Sequence, residues 1–469
     1  MWHKSVPQSL KHRIWTNITA RLAAVLVLGW GGATGALLAQ DGNIPAPQPT
    51  QPRGGLQVRT VSAYVGYDSK ILPNGGGFQP GAVTLPSDVS GGGSAVFEWT
   101  KSSERSALSL TYTPSYTGRV RYSSLNAFNH RLSLNATRKL APQWTFGFSM
   151  GADLSTREQF LFSPTTLSNV ASVPSTFDDL TGAMLSSKST NNPQLASVLT
   201  SAPLIESPVS NLLYGQRMFT SSAHTSLSYS YSPRFSVTFS GGGGRTQHVS
   251  DGQALNTSNA YLIANTTSGN ASVAVSYSLS PLTQLGGTVT TNRVSSSIQD
   301  AYTTTSLATL GRTLGRRWFI QIHGGVGVSN LVRQTSFAPS TKPHPVAGGS
   351  LGFKTFSHTL LGSFDRTVND TYGLGASTNS SATASWRWGR PGRAWWLESS
   401  VGWQRLEGNA FTNISGWRTS AGFGRAVGAH LALLTQYAYL HYERKPAYNL
   451  SQSAVRVSLV WTLTPNPLP

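Results

Sequence analysis

The sequence has no cysteine and few charged residues. Without cysteine there can be no disulfide scaffold, thiolate metal site, cysteine nucleophile or iron–sulfur cluster. Only 11% of the 469 residues are charged, against about 25% in an average soluble domain. Acidic residues are fewer than basic ones, with 17 Asp and Glu against 36 Lys and Arg, so the formal net charge is +19. Hydrophobic content of 39% with 10% aromatics is too low for helical membrane spans throughout and too high for a disordered chain.

Residues 1–39 have the composition of an export signal. Four basic residues and no acid precede an apolar or small stretch at 22–39. The glycines within that stretch and the small residues before Gln40 favour a cleaved signal peptide over an uncleaved anchor. We therefore expect export through the inner membrane and cleavage near Ala36 or Ala39. The proline-rich stretch 40–55 then forms an extended lead-in on the periplasmic side.

From Leu56 onward, apolar and polar residues alternate in stretches of about ten. At 144–154, Trp, Phe, Met, Ala and Leu alternate with Thr, Gly, Ser and Asp, and similar stretches occur at 318–326, 382–388, 395–403 and 455–463. A period of two predicts β-strands with one apolar face. The opposite face of such strands is small and polar.

Turn signals divide the alternating region into about 18 strands, with sixteen as the alternative because 256–267, 298–313 and 430–442 alternate poorly. Eight connections are tight, at 101–106, 138–143, 232–234, 280–282, 314–317, 354–358, 389–393 and 425–429. Nine are longer and rich in Ser, Thr, Asn and Gly, at 68–93, 114–126, 155–218, 248–269, 294–300, 330–344, 367–376, 406–412 and 444–450. The triple glycine at 91–93 is assigned to the first of these.

A soluble β-protein does not fit this pattern, because its polar face would be rich in Lys and Glu. Aromatic residues also gather at strand ends beside the tight turns: Trp99, Trp144, Tyr231, Trp318, Trp388, Trp395 and Trp461. Membrane-interface girdles place aromatics there. The chain resembles the bacterial porin-like outer-membrane β-barrels of sixteen to eighteen strands. The resemblance implies an all-β fold, a transmembrane antiparallel up-and-down β-barrel with short periplasmic turns and long extracellular loops.

The same resemblance implies a domain layout and a location. We expect one barrel over 56–463 in the cell outer membrane of a Gram-negative bacterium, in contact with outer-membrane lipid, and a tail at 464–469. The last strand, 454–463, resembles the terminal strand that such barrels present to the barrel-assembly machinery, with Trp461 as its aromatic residue. Association into a homo-oligomer is left open.

A barrel of this size leaves an aqueous channel. The face opposite the apolar residues is predicted to line it with nine charged residues: Glu98, Arg131, Asp153, Lys354, Asp365, Arg387, Glu398, Arg418 and Arg456. Facing ladders of opposite charge would create a transverse field that selects ions. The alternative is that each is an ordinary solvated residue.

The longest connection, 155–217, follows the fifth strand. In porins the loop at that place folds inward, which would make Asp178 and Asp179 acidic residues of a constriction; the alternative is an outward-lying flap. Basic residues gather in or beside the tight turns, with Glu104 as the only acid: Lys101, Arg105, Arg138, Lys139, Arg234, Arg312, Arg316, Arg317, Arg390, Arg393 and Arg425. This rim could hold anionic lipid or attract anionic solutes. Nothing indicates nucleic-acid binding.

No metal motif accompanies this pattern. The ten histidines lack metal-ligand spacing such as HExxH, and no paired-carboxylate motif occurs, so we expect no enzyme activity, cofactor or metal. His224 and His323 are expected to point inward as polar wall residues. GGGG at 241–244 is read as a packing feature.

These features predict an outer-membrane channel for passive diffusion of small hydrophilic solutes, with a mild preference for anions. One alternative is an export barrel for an acidic polysaccharide. A second is a non-conducting structural or adhesion barrel, plugged by the 155–217 connection.

Overall fold

A single closed β-sheet contains nearly every described residue of the chain. The computed structural model describes residues 55–70, 86–156, 217–249, 265–296, 299–315, 317–334, 343–370, 376–389, 394–408, 414–444 and 448–463. Within them, one 3-10 turn, Ser123–Leu125, is the only helical segment. No helix in these ranges is long and apolar enough to cross a membrane.

The sheet has 18 strands, as the turn signals predicted, and the alternative of sixteen is wrong. They are β1 (Gly55–Asp68), β2 (Asp88–Ser103), β3 (Ser106–Arg119), β4 (Ala127–Ala141), β5 (Trp144–Thr156), β6 (Arg217–Ser232), β7 (Phe235–His248), β8 (Thr266–Ser280), β9 (Thr283–Ser296), β10 (Gln299–Leu314), β11 (Trp318–Gln334), β12 (His344–Lys354), β13 (His358–Asp370), β14 (Ala376–Gly389), β15 (Trp395–Gly408), β16 (Ile414–Ala426), β17 (Leu431–Arg444) and β18 (Tyr448–Thr462).

Each strand pairs antiparallel with the next, and β1 pairs with β18, which closes the sheet into a barrel. In the closing seam Val61 lies opposite Trp461 and Asp68 lies opposite Ala454. Successive connections alternate between the two edges of the barrel. One edge has the long connections, but β9 and β10 are joined there by 297–298 alone, which is shorter than the long connection predicted at 294–300. At the other edge, every connection from β2–β3 to β16–β17 has two to five residues. The first residue of β1 and the last of β18 lie at that same edge, which we call the short-turn edge.

The outer face of the barrel is an exposed apolar band. Its side chains include Val61, Val65, Val275, Val289, Ile322, Leu351, Val401 and Leu459, all of them exposed. Aromatic residues border the band at both edges, with Trp144, Tyr231, Trp318 and Trp395 at the short-turn edge and Tyr67, Tyr116, Phe128, Tyr302, Trp403 and Trp417 at the other. On β15 the two girdles are eight residues apart, about 27 Å along the strand. Because strands of membrane barrels tilt by about 35–45°, the girdles are about 19–22 Å apart across the bilayer, slightly less than the apolar band of about 25 Å.

Two strands that alternate poorly have unusual inner faces. The inner side chains of β17 include Ala432, Leu434, Ala438, Leu440 and Tyr442, all buried, with Gln436 as the polar residue among them. Because both faces of β17 are largely apolar, its sequence lacks a clear period of two. In β10 the usual placement of apolar residues outward and polar residues inward is partly reversed. Leu307 points inward, while exposed Ser306 and Ala308 point outward.

Some strands extend further than the sequence indicated. The triple glycine at 91–93, expected in the first long connection, lies within β2, which begins at Asp88. Likewise β3 continues to Arg119, inside the predicted connection 114–126. Glycine and polar residues resemble loop composition, but on the inner face of a barrel they are ordinary strand residues.

Several inner-face glycines leave space that a large side chain of the neighbouring strand occupies. The indole of Trp396 lies over Gly424, where an added Cβ would overlap its ring atoms. The ring of Tyr442 lies over Gly416 in the same way. Trp396 thereby reaches Ala432 and Leu434 on β17 and forms a small buried cluster. These side chains lie along the wall rather than projecting from it.

Gly424→Ala should therefore destabilise the barrel. Overpacking of a filled site costs about 1–3 kcal/mol, because the Trp396 indole must shift. Urea unfolding of the refolded barrel in detergent would measure the loss. Gly151→Ala is the matched control, since a Cβ there meets Ser222 Oγ at 3.4 Å and the Leu132 carbonyl oxygen at 3.9 Å, both ordinary contacts. Equal stability of the two variants would contradict the packing role of Gly424.

Candidate pore wall

The nine predicted charged residues all lie on the inner face of the barrel, opposite the exposed apolar side chains. Each alternates with outward residues, as Arg456 does between the exposed Val455 and Val457. The set is Glu98, Arg131, Asp153, Lys354, Asp365, Arg387, Glu398, Arg418 and Arg456. That these residues line a conducting pore stays a prediction.

Two of the acids form ion pairs with arginines of the adjacent strand. Arg131 and Asp153 face each other in the register of β4 and β5, with Nη2 and Oδ2 3.5 Å apart. Glu98 Oε2 lies 2.7 Å from Nε of Arg59, which occupies a bulge in β1. Sequence reasoning had not selected Arg59, because a bulge interrupts the alternation on which that selection depended.

A third acid pairs across an intervening strand. Nε2 of His323 on β11 lies 3.0 Å from Oδ1 of Asp365 on β13, above Gly348 of β12. A Cβ on Gly348 would come within 2.5 Å of His323 Cε1 and 2.7 Å of Asp365 Oδ1. The glycine therefore permits the two side chains to meet. His323 points inward, as expected.

The fourth acid, Glu398, accepts a hydrogen bond of 2.8 Å from the amide of Gln436. Arg387 lies opposite Glu398 in the register of β14 and β15, and its guanidinium carbon is 5.8 Å from the centre of the Trp396 ring. Each predicted acid thus has a polar or cationic neighbour within the wall. Opposite charges lie side by side on nearby strands, a shorter-range arrangement than ladders that face each other across the barrel.

The remaining cations occupy different settings. Arg456 lies over the Tyr64 ring, 4.1 Å from its centre, across the closing seam. Arg418 is buried between Gly402 and Leu440 of the flanking strands. Lys354 ends β12 at the short-turn edge, where its amide donates to the Arg317 carbonyl.

A network at the long-connection end of the inner face was missed by the sequence analysis. Arg119 Nη1 donates to Asp68 Oδ2 at 3.0 Å, and the Arg119 side chain is only 5% exposed. Nearby, the Tyr64 and Thr117 hydroxyls are 2.6 Å apart. Asp68 and Arg119 are the last residues of β1 and β3, and both had been assigned to the ends of long connections.

Exposure divides the inner face into two parts. The Arg131, Arg59 and Asp365 side chains are 64%, 62% and 40% exposed. The inner side chains of β15 to β18 are mostly buried: Trp396, Gln404, Leu406, Arg418, Leu434, Leu440, Tyr442, Gln452 and Val460. Water therefore reaches the inner face near β1, β4 and β13 and is largely excluded from β15 to β18.

Other predicted site residues can be placed more briefly. Asp178 and Asp179 lie outside the described residues. His224 points inward and lies over Gly242, where a Cβ would be 2.7 Å from His224 Nδ1, so part of the GGGG segment does serve close packing. Within the described strands, no three His, Asp or Glu side chains gather as metal ligands.

A closed antiparallel barrel with an exposed apolar band between two aromatic girdles is a transmembrane barrel of the outer membrane. Its 18 strands give it the size of the porin-like barrels, as expected.

The chain matches no protein-family model and no curated protein. Among solved structures it is similar to OccK9 (OpdG) of Pseudomonas aeruginosa, with 11% identity and a TM-score of 0.43 over 87% of this chain and 98% of that one. It is also similar to the outer membrane protein OpdK of the same organism, with 8% identity and a TM-score of 0.41 over 87% and 99%. It is also similar to OccAB4 of Acinetobacter baumannii, with 8% identity and a TM-score of 0.41 over 87% of this chain and 98% of that one. No residue role is transferred from these proteins.

Asp68→Asn should destabilise the barrel, because it removes the carboxylate from the buried Arg119 guanidinium. Breaking a buried ion pair costs about 3–5 kcal/mol. Glu407→Gln is the matched control, since the Arg405–Glu407 pair is at the same edge and exposed, where a pair contributes about 0–1 kcal/mol. Urea unfolding of both variants measures the difference. A similar small effect for both would show that the Asp68 carboxylate is dispensable.

Proposed function

We propose that the protein is an outer-membrane channel for passive diffusion of small hydrophilic solutes, with a mild anion preference. The observation that carries the proposal is the exposure of charged side chains on the inner face of membrane-spanning strands. A charge within a membrane span is costly unless it meets protein partners or water. Arg131 has one acidic neighbour, yet 64% of its side chain is exposed.

The exposed charges occur at several depths along the barrel. Arg59 is the fifth residue of β1, near the short-turn edge, and Asp365 is in the middle of β13. Arg131 is the fifth residue of β4, near the opposite edge. Solvation at all three depths supports a continuous water path, and it would pass β1, β4 and β13 rather than β15 to β18.

The preference for anions is proposed from the balance of charge on the wall. Cations placed on the described inner face are Arg119, Arg131, Lys139, Lys354, Arg387, Arg418 and Arg456, with Arg59 at the bulge; acids are Asp68, Asp88, Glu98, Asp153, Asp365 and Glu398. A small excess of positive charge raises the local concentration of anions without excluding cations. The acids interrupt any continuous basic track, which favours diffusion over export of an acidic polysaccharide.

The proposal includes removal of residues 1–39 on export and no enzyme activity. The mature chain alone should conduct, because every described strand of the barrel lies downstream of the leader.

Single-channel recording of the refolded mature chain in a planar bilayer tests the function. We expect stable conductance steps and, under a salt gradient, a reversal potential shifted toward that of the anion. Arg131→Gln should reduce the shift, because its exposed guanidinium contributes positive potential along the path. Arg405→Gln is the control, because Arg405 points outward and its substitution should leave the shift unchanged.

Absence of conductance from a folded, heat-modifiable barrel would overturn the channel proposal. Conductance with no anion shift, or with a cation shift, would overturn the anion preference alone. Deleting residues 160–212 in parallel tests the plugged-barrel alternative, for which conductance would arise only after the deletion.

A further inference from the structure

The short-turn edge carries a marked excess of positive charge. Its described cations include Lys101, Arg105, Arg138, Lys139, Arg234, Arg312, Arg317, Lys354 and Arg425; Arg138, Lys139 and Lys354 are half-buried and the others are exposed. The only acid in the short turns and the three strand residues on either side of each is Glu104. Carboxylates of the protein are therefore scarce at this edge.

Strand register shows which of these cations face outward. Lys101 lies opposite Leu108, Arg312 lies opposite Ile320, and Arg425 lies opposite the exposed Trp395. Arg138 is opposite Phe146 and shares its outward face. We call Lys101, Arg138, Arg312 and Arg425 the outer basic ring. They lie on β2, β4, β10 and β16, so they are distributed around the barrel.

Aromatic pairs fix the depth of the outer basic ring in the membrane. At this edge the rings of Trp144 and Tyr229 are 4.6 Å apart, those of Trp318 and Phe353 are 4.3 Å apart, and those of Trp388 and Trp395 are 4.5 Å apart. Tryptophan and tyrosine girdles lie at the level of lipid headgroups. The cations of the ring lie at or just beyond this girdle, where lipid phosphates are found.

The opposite edge of the outer face is organised differently. There Arg293 pairs with Asp300 at 2.7 Å and lies over the Tyr302 ring, while Arg405 pairs with Glu407 at 2.6 Å. Those arginines have carboxylates supplied by the protein. Within the described strands, Lys101, Arg312 and Arg425 form no such ion pair, and all three are exposed, so they are open to an anionic group from outside the protein.

We propose that the outer basic ring binds the phosphate groups of anionic phospholipids, such as phosphatidylglycerol, in the leaflet that contains the short-turn edge. Lipid is favoured over transported solutes because these four side chains point away from the barrel interior. Juxtamembrane Lys and Arg residues are attracted to anionic lipid surfaces, and the attraction is screened by salt. This binding does not depend on the proposed channel function.

The test measures lipid selectivity of the full mature chain reconstituted in phosphatidylcholine vesicles. Electron spin resonance with spin-labelled phosphatidylglycerol or phosphatidylcholine gives the relative association of each lipid with the barrel surface. The wild type should prefer phosphatidylglycerol at least threefold at low salt, and 1 M salt should reduce the preference. The variant Lys101→Gln, Arg138→Gln, Arg312→Gln, Arg425→Gln should lose it.

Two controls make the result specific. The double variant Arg293→Gln, Arg405→Gln removes outward arginines from the opposite edge and should retain the preference. Arg312→Lys with Arg425→Lys keeps the charge and should also retain it. If the fourfold variant fails to fold, the pairs Lys101→Gln with Arg138→Gln and Arg312→Gln with Arg425→Gln should each reduce the preference. Equal association of both lipids with the wild type, or an undiminished preference in the neutralised variants, would overturn the proposal.

Discussion

Closure of the sheet by β1 and β18 is the constraint on which the rest of the structure depends. In a bilayer the hydrogen bonds of a strand edge cannot be satisfied by solvent, so a membrane sheet must have no edge. Here nine register pairs join β1 to β18, from Thr60 with Thr462 to Asp68 with Ala454. Side chains reinforce the seam from the inner face, where Arg456 of β18 lies over Tyr64 of β1. Once the seam is closed, the alternation of each strand decides which residues meet lipid and which face inward.

The inner wall is held together by lateral contacts. Large side chains extend sideways over glycines of adjacent strands, and charged residues pair with neighbours one or two strands away. Trp396 over Gly424 and Asp365 with His323 above Gly348 are examples. This arrangement explains why a chain with so few charges has so many glycines. Small residues keep the wall thin where a neighbour needs the space.

Much of the fold could be predicted from period-two alternation, because lipid on one side and small polar residues on the other impose it. Strand β5 shows it fully, and the nine charged residues predicted for the inner face were selected from it. Prediction from alternation failed where the two faces of a strand did not differ in polarity. Both faces of β17 are largely apolar, and the glycines of β2 looked like loop residues. Partners such as Asp68 and Arg119, 51 residues apart, depend on strand register, which composition does not encode.

The contact between His323 and Asp365 has a consequence for variation in this barrel. Because the two side chains meet above Gly348, the pair depends on three strands although only two supply its members. A side chain gained at position 348 would separate the pair as surely as the loss of either partner. Positions 323, 348 and 365 should therefore vary together in related sequences. Gly348 contributes no atom to the interaction, yet it tolerates the fewest replacements of the three.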